Sequence, residues 1–442
     1  MVKKLVTCLF LAGLAGLAGC TRGTGGGAVE GKEEIAAREG EKAPPEKAAP
    51  LAEKYLLDGK LTEGEKALQV RLKEEPKDDQ ARFGLGVIQF LQTYEHLGAS
   101  LYKYGLRTEK SFLRPPAQVK EFLPQNPKPE PITYAALRQV LQTYLDDLAK
   151  AEATLAQVKD PAVKLPLHVG LIKIDPFGQG KPISAAFLFT RFEAPEPMRK
   201  QAEMLVIGFD RGDVSWLRGY CHILMAAGEV VMALDSQKAF DCGAHLFFEK
   251  PETPYPFLLE KRRAFDEALF EDVAMWTDVL TFFHNLTRLP VKEPERSKAA
   301  LAHLEAAVGQ AKEMWTHILA ETDDDNEWIP NPTQTGVVGV KVTQEMVDTW
   351  LETLDEAEQI LKGKKLIPFW RGKEDGRGVN LRRVFSEPQK TFDPFEWMQG
   401  TAAVPYLEKG PITKLADPQM IERLNKAFGG PLNFAGFAFW FN

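Results

Sequence analysis

From Leu51 onward, apolar residues recur at the three-to-four-residue spacing of helices. Leu51, Tyr55, Leu61, Leu68 and Leu72 fall around a Gly59-Lys60 break, and Thr62 with Glu65 has the spacing of a capping box that would restart the helix. Phe83 to Leu106 and Ile132 to Val158 repeat the pattern. It returns from Asp213 to Leu234, Leu258 to Leu286, Ser297 to Ala320 and Thr343 to Leu361. Asp393-Pro394 and Asp417-Pro418 each place a capping carboxylate before a proline suited to the first helical turn. Two stretches break the pattern. Six prolines between Pro115 and Pro131 forbid a continuous helix. Leu165 to Arg191 has short apolar runs cut by Pro166, Pro176, Gly178, Gly180 and Pro182, which fits one or two strands or an ordered loop. The expected fold is mainly α: helical hairpins, then a larger Trp-rich helical domain with minor β content.

Ahead of this pattern stands Met1 to Cys20, MVKKLVTCLFLAGLAGLAGC. Lys3 and Lys4 precede an uncharged run, Leu5 to Ala18, that is too short to span a bilayer, which is the layout of a signal peptide. Leu17-Ala18-Gly19-Cys20 matches the lipobox in full, so the leader resembles that of a bacterial lipoprotein. The resemblance implies signal cleavage between Gly19 and Cys20, a diacylglycerol on the Cys20 thiol, and a further acyl chain such as palmitate on the new amino group. Several chains at one residue anchor stably where one would not. Thr21 stands where an aspartate would favour the inner membrane, so the implied location is the outer membrane, facing the periplasm. Thr21 to Pro50 is built from Gly, Ala, Glu, Pro and Lys with Ile35 its one large aliphatic residue, and reads as a tether reaching roughly 30 Å.

A 34-residue offset links Leu51-Ala52 to Leu85-Gly86, Gly64 to Gly98 and Leu68 to Tyr102, with Pro76 as a closing proline. Residues 50–108 therefore resemble a pair of tetratricopeptide repeats, which implies helical hairpins with a concave binding surface. All eight tryptophans lie from Trp216 onward, while six of nine tyrosines precede residue 150. This places a boundary between 160 and 210. The expected organisation is 1–19 signal peptide, 20–50 lipidated cysteine and tether, 51–160 tetratricopeptide-like module, 161–210 strand and loop connector, and 211–442 helical C-terminal domain.

Hydrophobic residues make up 44% of the chain, enough to bury a core. The formal charge is −7, and loss of Lys3 and Lys4 with the leader takes it to −9, which disfavours general nucleic-acid binding. No cofactor is called for.

Chemistry-bearing residues are few. Cys221 and Cys242 would close a loop worth roughly 3 kcal/mol as a disulfide, or stay as two free thiols. His222 and His245 beside them add metal-ligand types, but the spacing matches no zinc module and no metal site is assigned. The acidic run Glu321 to Trp328 fails the calcium-loop pattern at Trp328 and Gln334, and reads as a solvated helix end or a hydrogen-bonded loop. Trp328 and the polar residues after it could rim a pocket. Arg371, Lys373, Arg377, Arg382 and Arg383 form the most basic stretch, a candidate for anions such as lipid headgroups or cell-wall carboxylates against an alternative of internal salt bridges. Hydrolase, phosphate-loop and dinucleotide motifs are absent from the sequence, so no catalytic residue is assigned. His284 and His317 read as core histidines, and Phe434 to Asn442 as a segment that inserts into the core. The expected function is binding or scaffolding of envelope proteins or a solute. The alternatives are an envelope-acting enzyme using Asp323, Asp325 or Glu327 near a Trp-lined cleft, and a purely structural envelope protein.

Overall fold

A computed structural model describes residues 49–107, 124–184, 204–260, 264–324, 326–337, 341–371 and 376–442. Residues 1–48, with the expected leader, Cys20 and most of the expected tether, lie outside the described residues, as do Asp325 and Lys373.

The fold is mainly α with minor strand content. Helices α1 (Leu51–Asp58), α2 (Leu61–Glu74) and α3 (Asp79–Lys103) pack on one another, and α4 (Tyr134–Leu155) lies along α3. A short β region follows, in which β1 (Leu165–His168) pairs antiparallel with β4 (Val206–Phe209), Leu165 opposite Phe209, and β2 (Lys173–Ile174) pairs with β3 (Ile183–Ser184). Next come α5 (Arg211–Ala233), α6 (Gln237–Gly243), α7 (Ala264–Leu286), β5 (Leu289–Pro290), α8 (Pro294–Ile318) and α9 (Gln344–Leu361). The C-terminal part adds β6 (Ile367–Pro368), β7 (Arg377–Val379), α10 (Leu381–Ser386), β8 (Thr391–Phe392), α11 (Pro394–Gln399), β9 (Leu407–Lys409), α12 (Pro418–Phe428) and α13 (Pro431–Phe441). Strands β6, β7 and β9 form one small sheet, and β5 pairs with β8.

Side-chain caps set many of these boundaries. Asp78, Thr133, Thr343, Asp393 and Asp417 each accept a backbone N–H at their helix start. The Thr62–Glu65 box is not used: α2 starts at Leu61 behind Lys60, which makes no side-chain cap. Glu65 instead accepts from Lys150 at 2.6 Å and Gln89 at 3.1 Å, tying α2 to α4 and α3. Among the described residues, the Gly59-Lys60 break between the first two helices has no counterpart 34 residues on. Residues 85–103 run through one unbroken helix, α3, and Gly98 serves another end, because a Cβ there would lie 1.8 Å from the Pro176 carbonyl oxygen.

The core is continuous across the expected boundary near 210. Val214 and Leu217 of α5 share a buried cluster with Ala52, Leu56, Phe83, Ile88 and Leu165. A second cluster holds the aromatic residues: Trp315, Trp328, Trp350, Phe428, Trp440 and Phe441 are all buried. Phe441 sits edge-on to Trp315 at 5.0 Å and to Trp350 at 6.1 Å, so the C-terminal segment inserts into this core. Trp216 Nε1 donates to the Trp440 carbonyl at 2.8 Å and Asn442 Nδ2 donates to the Trp216 carbonyl at 2.8 Å, fastening the chain end to α5. The indole nitrogens of Trp315, Trp328, Trp350 and Trp440 find no acceptor among the described residues, a cost that aromatic burial offsets.

The disulfide left open by the sequence is not formed: Cys221 and Cys242 are both free. Cys221 is buried on α5 against Leu145, Leu148 and Ala151 of α4, whereas Cys242 lies half-buried on α6. Phe441→Ala should lower the free energy of unfolding by about 3–5 kcal/mol, measured by urea denaturation, because it empties a fully enclosed site.

Candidate functional site

The start of α5 gathers four carboxylates. Asp210 is the N-cap, and its Oδ1 accepts from Gly212 N at 2.7 Å and Asp213 N at 3.4 Å, while Asp213 Oδ2 accepts from Asp210 N at 3.0 Å. The loop after α8 brings Glu321 and Glu327 to the same place, so that carboxylate oxygens of Asp210, Glu321 and Glu327 lie within 4.8 Å of one another. Asp210, Asp213 and Glu327 are buried. Gly212 allows this approach, since a Cβ there would stand 2.9 Å from Ile318 Cγ1 and 3.3 Å from Glu321 Oε1. Lys164, just before β1, brings a cation to the cluster, at 2.8 Å from Asp323 and 3.5 Å from Asp210.

The loop is held by its own polar groups. Asn331 Nδ2 donates to the carbonyls of Ile318 and Glu321 at 3.1 and 3.4 Å, Gln334 Nε2 donates to Glu321 Oε2 at 3.2 Å, and Val337 N donates to the Glu327 carbonyl at 3.0 Å. Asn326 takes the left-handed conformation, φ 63°, that asparagine tolerates.

Burial and then the charge of Asp210 push the Glu321 carboxyl up to about 9, and the same two causes raise Asp213 well above the carboxylate range. Lys164 is held above its usual value, its burial outweighed by Asp323, Asp210 and Glu327. Chemically the cluster can retain a proton at neutral pH. Three convergent oxygens are also of the kind a hard divalent cation takes.

Of the residues singled out in the sequence, Glu327 belongs to this cluster and Asp323 reaches it through Lys164. Trp328 is not a pocket rim. It is buried edge-on to Trp216 at 5.5 Å, because the loop turns it inward while Glu327 points at α5. Asp210, Asp213 and Lys164 were not picked out, although Asp210-Arg-Gly-Asp213 carries capping-box spacing and could have been found from it.

The cysteine and histidine set does not converge. His222 Nδ1 lies 3.1 Å from His303 Nδ1, with Glu152 at 3.5 Å from Nε2, whereas His245 Nε2 lies 3.2 Å from Asp278. His284 is exposed and His317 half-buried near Glu313, so neither is a core histidine. Within the basic stretch, Arg382 pairs with Glu305 at 2.6 Å and Arg383 with Glu387 and Glu408 at 2.8 and 2.9 Å, the internal salt bridges of the alternative reading. Arg371 and Arg377 are exposed.

A groove of about 610 Å³ lies between α9 and α12, lined by Glu345, Glu352, Lys414, Arg423 and Lys426. Its charges are paired with one another, Arg423 to Glu352 at 2.7 Å and Lys426 to Glu345 at 2.9 Å. Two surfaces expose large apolar side chains. On α7, Val273, Trp276 and Leu280 follow helical spacing and are 55% to 67% exposed. Around α11, Trp370, Phe395, Met398 and Val404 are 50% to 73% exposed. Among the described residues, no helix is long and apolar enough to cross a membrane.

The chain matches no family model, no curated protein and no solved structure.

The raised carboxyl of Glu321 has a definite sign in stability. Its folded value lies above 4.5, so its protonated form contributes stability at acid pH that is lost as pH rises toward about 9. Glu321→Gln should therefore be more stable than wild type near pH 8, by about 1 kcal/mol given the partial solvation, and nearly equal to it near pH 4. Urea unfolding at the two pH values checks this. An unchanged pH slope would count against the cluster as described. For the thiols, a maleimide should modify Cys242 in the native protein and reach Cys221 only after unfolding, with no reductant needed.

Proposed function

We propose that this chain is a lipid-anchored protein of the bacterial cell envelope, held by acyl chains on Cys20 at the outer membrane and facing the periplasm. Its helical body binds or scaffolds envelope proteins or a solute. The location rests on the leader, Leu17 to Cys20 with Lys3 and Lys4 before it. The binding reading is carried by the open face of α7. Val273, Trp276 and Leu280 lie three and four residues apart over two helical turns, while Asp278 between them turns to His245, and isolated apolar residues would not be expected to align in this way. Aromatic residues on such a face are the usual anchors of an interface. Helix α7 also carries Asp266, Glu267, Glu271, Asp272 and Asp278 and no Lys or Arg, so its partner should present apolar groups flanked by cations.

One observation favours a second reading, an envelope-acting enzyme. The Asp210, Glu321 and Glu327 cluster holds a carboxyl raised toward the range of a general acid. In that role Glu321 would deliver the proton and Asp210 and Glu327 would stabilise positive charge. The Glu321→Gln chain would then lose any hydrolytic activity found on cell-wall material by about a hundredfold or more.

Two measurements test the main reading. In bacteria fed an alkyne-bearing palmitate, the wild-type chain should incorporate label and Cys20→Ala should take up none; equal labelling would remove the anchor. Affinity purification from native membranes should recover a specific partner with wild type and at least about tenfold less with Val273→Ser/Trp276→Ser/Leu280→Ser. These side chains are exposed, so the unfolding midpoint should barely move. Identical recovery from both chains would refute binding through α7.

A further inference from the structure

We infer that the face around α11 is a docking surface for a phospholipid bilayer interface containing anionic headgroups, distinct from the α7 face. The inference rests on the lipid-anchor reading only for bringing the folded body to a membrane.

Helix α11 carries large apolar residues on both its inner and its outer side, the outer ones beside the exposed Glu396 and Gln399. Its inner side is satisfied: Trp397 stacks on Tyr406 at 5.9 Å with the rings 10° apart, within a small core that includes Val379 and Ala403. Its outer side should then be polar in a helix that meets only water. Instead Phe395 and Met398, at i and i+3, are among the most exposed large apolar residues of the protein. Two loops enlarge the patch. Trp370 donates its Nε1–H to the Met398 carbonyl at 3.2 Å, which holds a half-exposed indole beside the methionine, and Val404 follows on the next turn.

Cations rim this patch in an otherwise acidic protein. The Arg371 stem lies by Gly400 at the C-terminal end of α11, 3.4 Å from where a Cβ would stand. Lys390 immediately precedes β8, in which Phe392 pairs with Leu289, and Arg288, just before β5, reaches 3.9 Å from Asp393. Lys390, Arg288 and Arg371 are exposed, whereas the equally exposed Arg382 is held by Glu305 at 2.6 Å. Against these cations stand Asp393, whose Oδ1 caps α11, and the exposed Glu396. An indole with a polar edge, a phenyl ring and a thioether, surrounded by long cationic side chains, match the depth profile of a bilayer interface: apolar groups at the acyl boundary, cations at the phosphates. Helix α7 fails the same comparison, because its five carboxylates would be repelled by anionic headgroups.

The test uses the full chain carrying Cys20→Ser, which lacks the lipobox thiol, mixed with vesicles of phosphatidylethanolamine and phosphatidylglycerol. Amide hydrogen exchange should slow by about threefold or more across residues 394–406 when vesicles are added, and stay unchanged across residues 273–284. Phe395→Ser/Met398→Ser, which carries the same leader and alters only exposed side chains, should lose that protection. Arg371→Gln/Lys390→Gln should bind about tenfold more weakly and lose most of its salt dependence. The proposal is overturned if exchange at 394–406 ignores vesicles. It is overturned equally if protection appears without vesicles as protein concentration rises, which would make a second copy the occupant. Palmitate labelling separates the two ideas. Labelled Cys20 without protection at α11 removes the docking surface and leaves the anchor, and protection at α11 without labelling does the reverse.

Discussion

Helix α5 is packed between α4 and α8, and much of that packing is polar. Arg218 on α5 holds Glu152 of α4 through two donors at 2.8 and 2.9 Å, and Arg211 holds Glu313 of α8 at 2.6 Å. One turn on from Arg218, His222 meets His303, and Glu229 accepts from Arg296 at 3.0 Å. Partly buried charges of this kind persist only when paired, since removing one partner strands the other away from water. The ladder therefore sets the relative height of three helices in a way that apolar contacts alone would not. Glu152 shows how tight the pairing is. Burial pushes its carboxyl up, yet hydrogen bonds from His222 and Arg218 bring it down to about 2. Close approach completes the arrangement: Gly228 leaves room for Leu145, and Gly219 for Asn442.

The carboxylate cluster follows from that constraint. With the height of α5 fixed against α8, its first turn stands beside the end of α8, and the loop leaving α8 has to cross it. Asp210 and Asp213 are there to cap α5, a local requirement. Glu321 and Glu327 arrive because the loop folds back on Asn331 and Gln334. Four acids meet where a helix start and a loop would each separately need one or two, and Lys164 with a retained proton balances the excess. A cluster assembled this way links the cap of the central helix to the loop that closes the aromatic core through Trp328.

The surface divides by charge as well as by polarity. The α7 segment carries five acidic residues and no Lys or Arg, whereas the apolar patch on α11 has Arg288, Arg371 and Lys390 near it beside Asp393 and Glu396. Opposite charge around similar hydrophobic content selects different partners, because the rim decides which surface can approach before the apolar centre is desolvated. The basic stretch read in the sequence thus splits: Arg382 and Arg383 brace the C-terminal elements internally, and Arg371 remains at the edge of an aromatic patch.

Local rules were enough for the helices. Spacing at three and four residues placed α3, α4, α5, α8 and α9 to within a few residues, and Asp393 and Asp417 marked helix starts because a cap is made by neighbours in the chain. The apolar C-terminus announced its own burial for the same reason: Trp440 and Phe441 have nowhere favourable to go but the core. Other features depended on partners far away in sequence. Thr62 and Glu65 had a local use and lost it, since Lys150 and Gln89 compete for the carboxylate. Trp328 and His284 exchanged their expected places, inside and outside, because packing of remote helices decides which face of a loop or helix is covered. The meeting of Asp210 with Glu321 and Glu327 spans more than a hundred residues. Sequence determined the helices and the caps, both of which act over a few residues. Tertiary structure decided which charges meet and which apolar faces stay open, because both depend on residues brought together from distant parts of the chain.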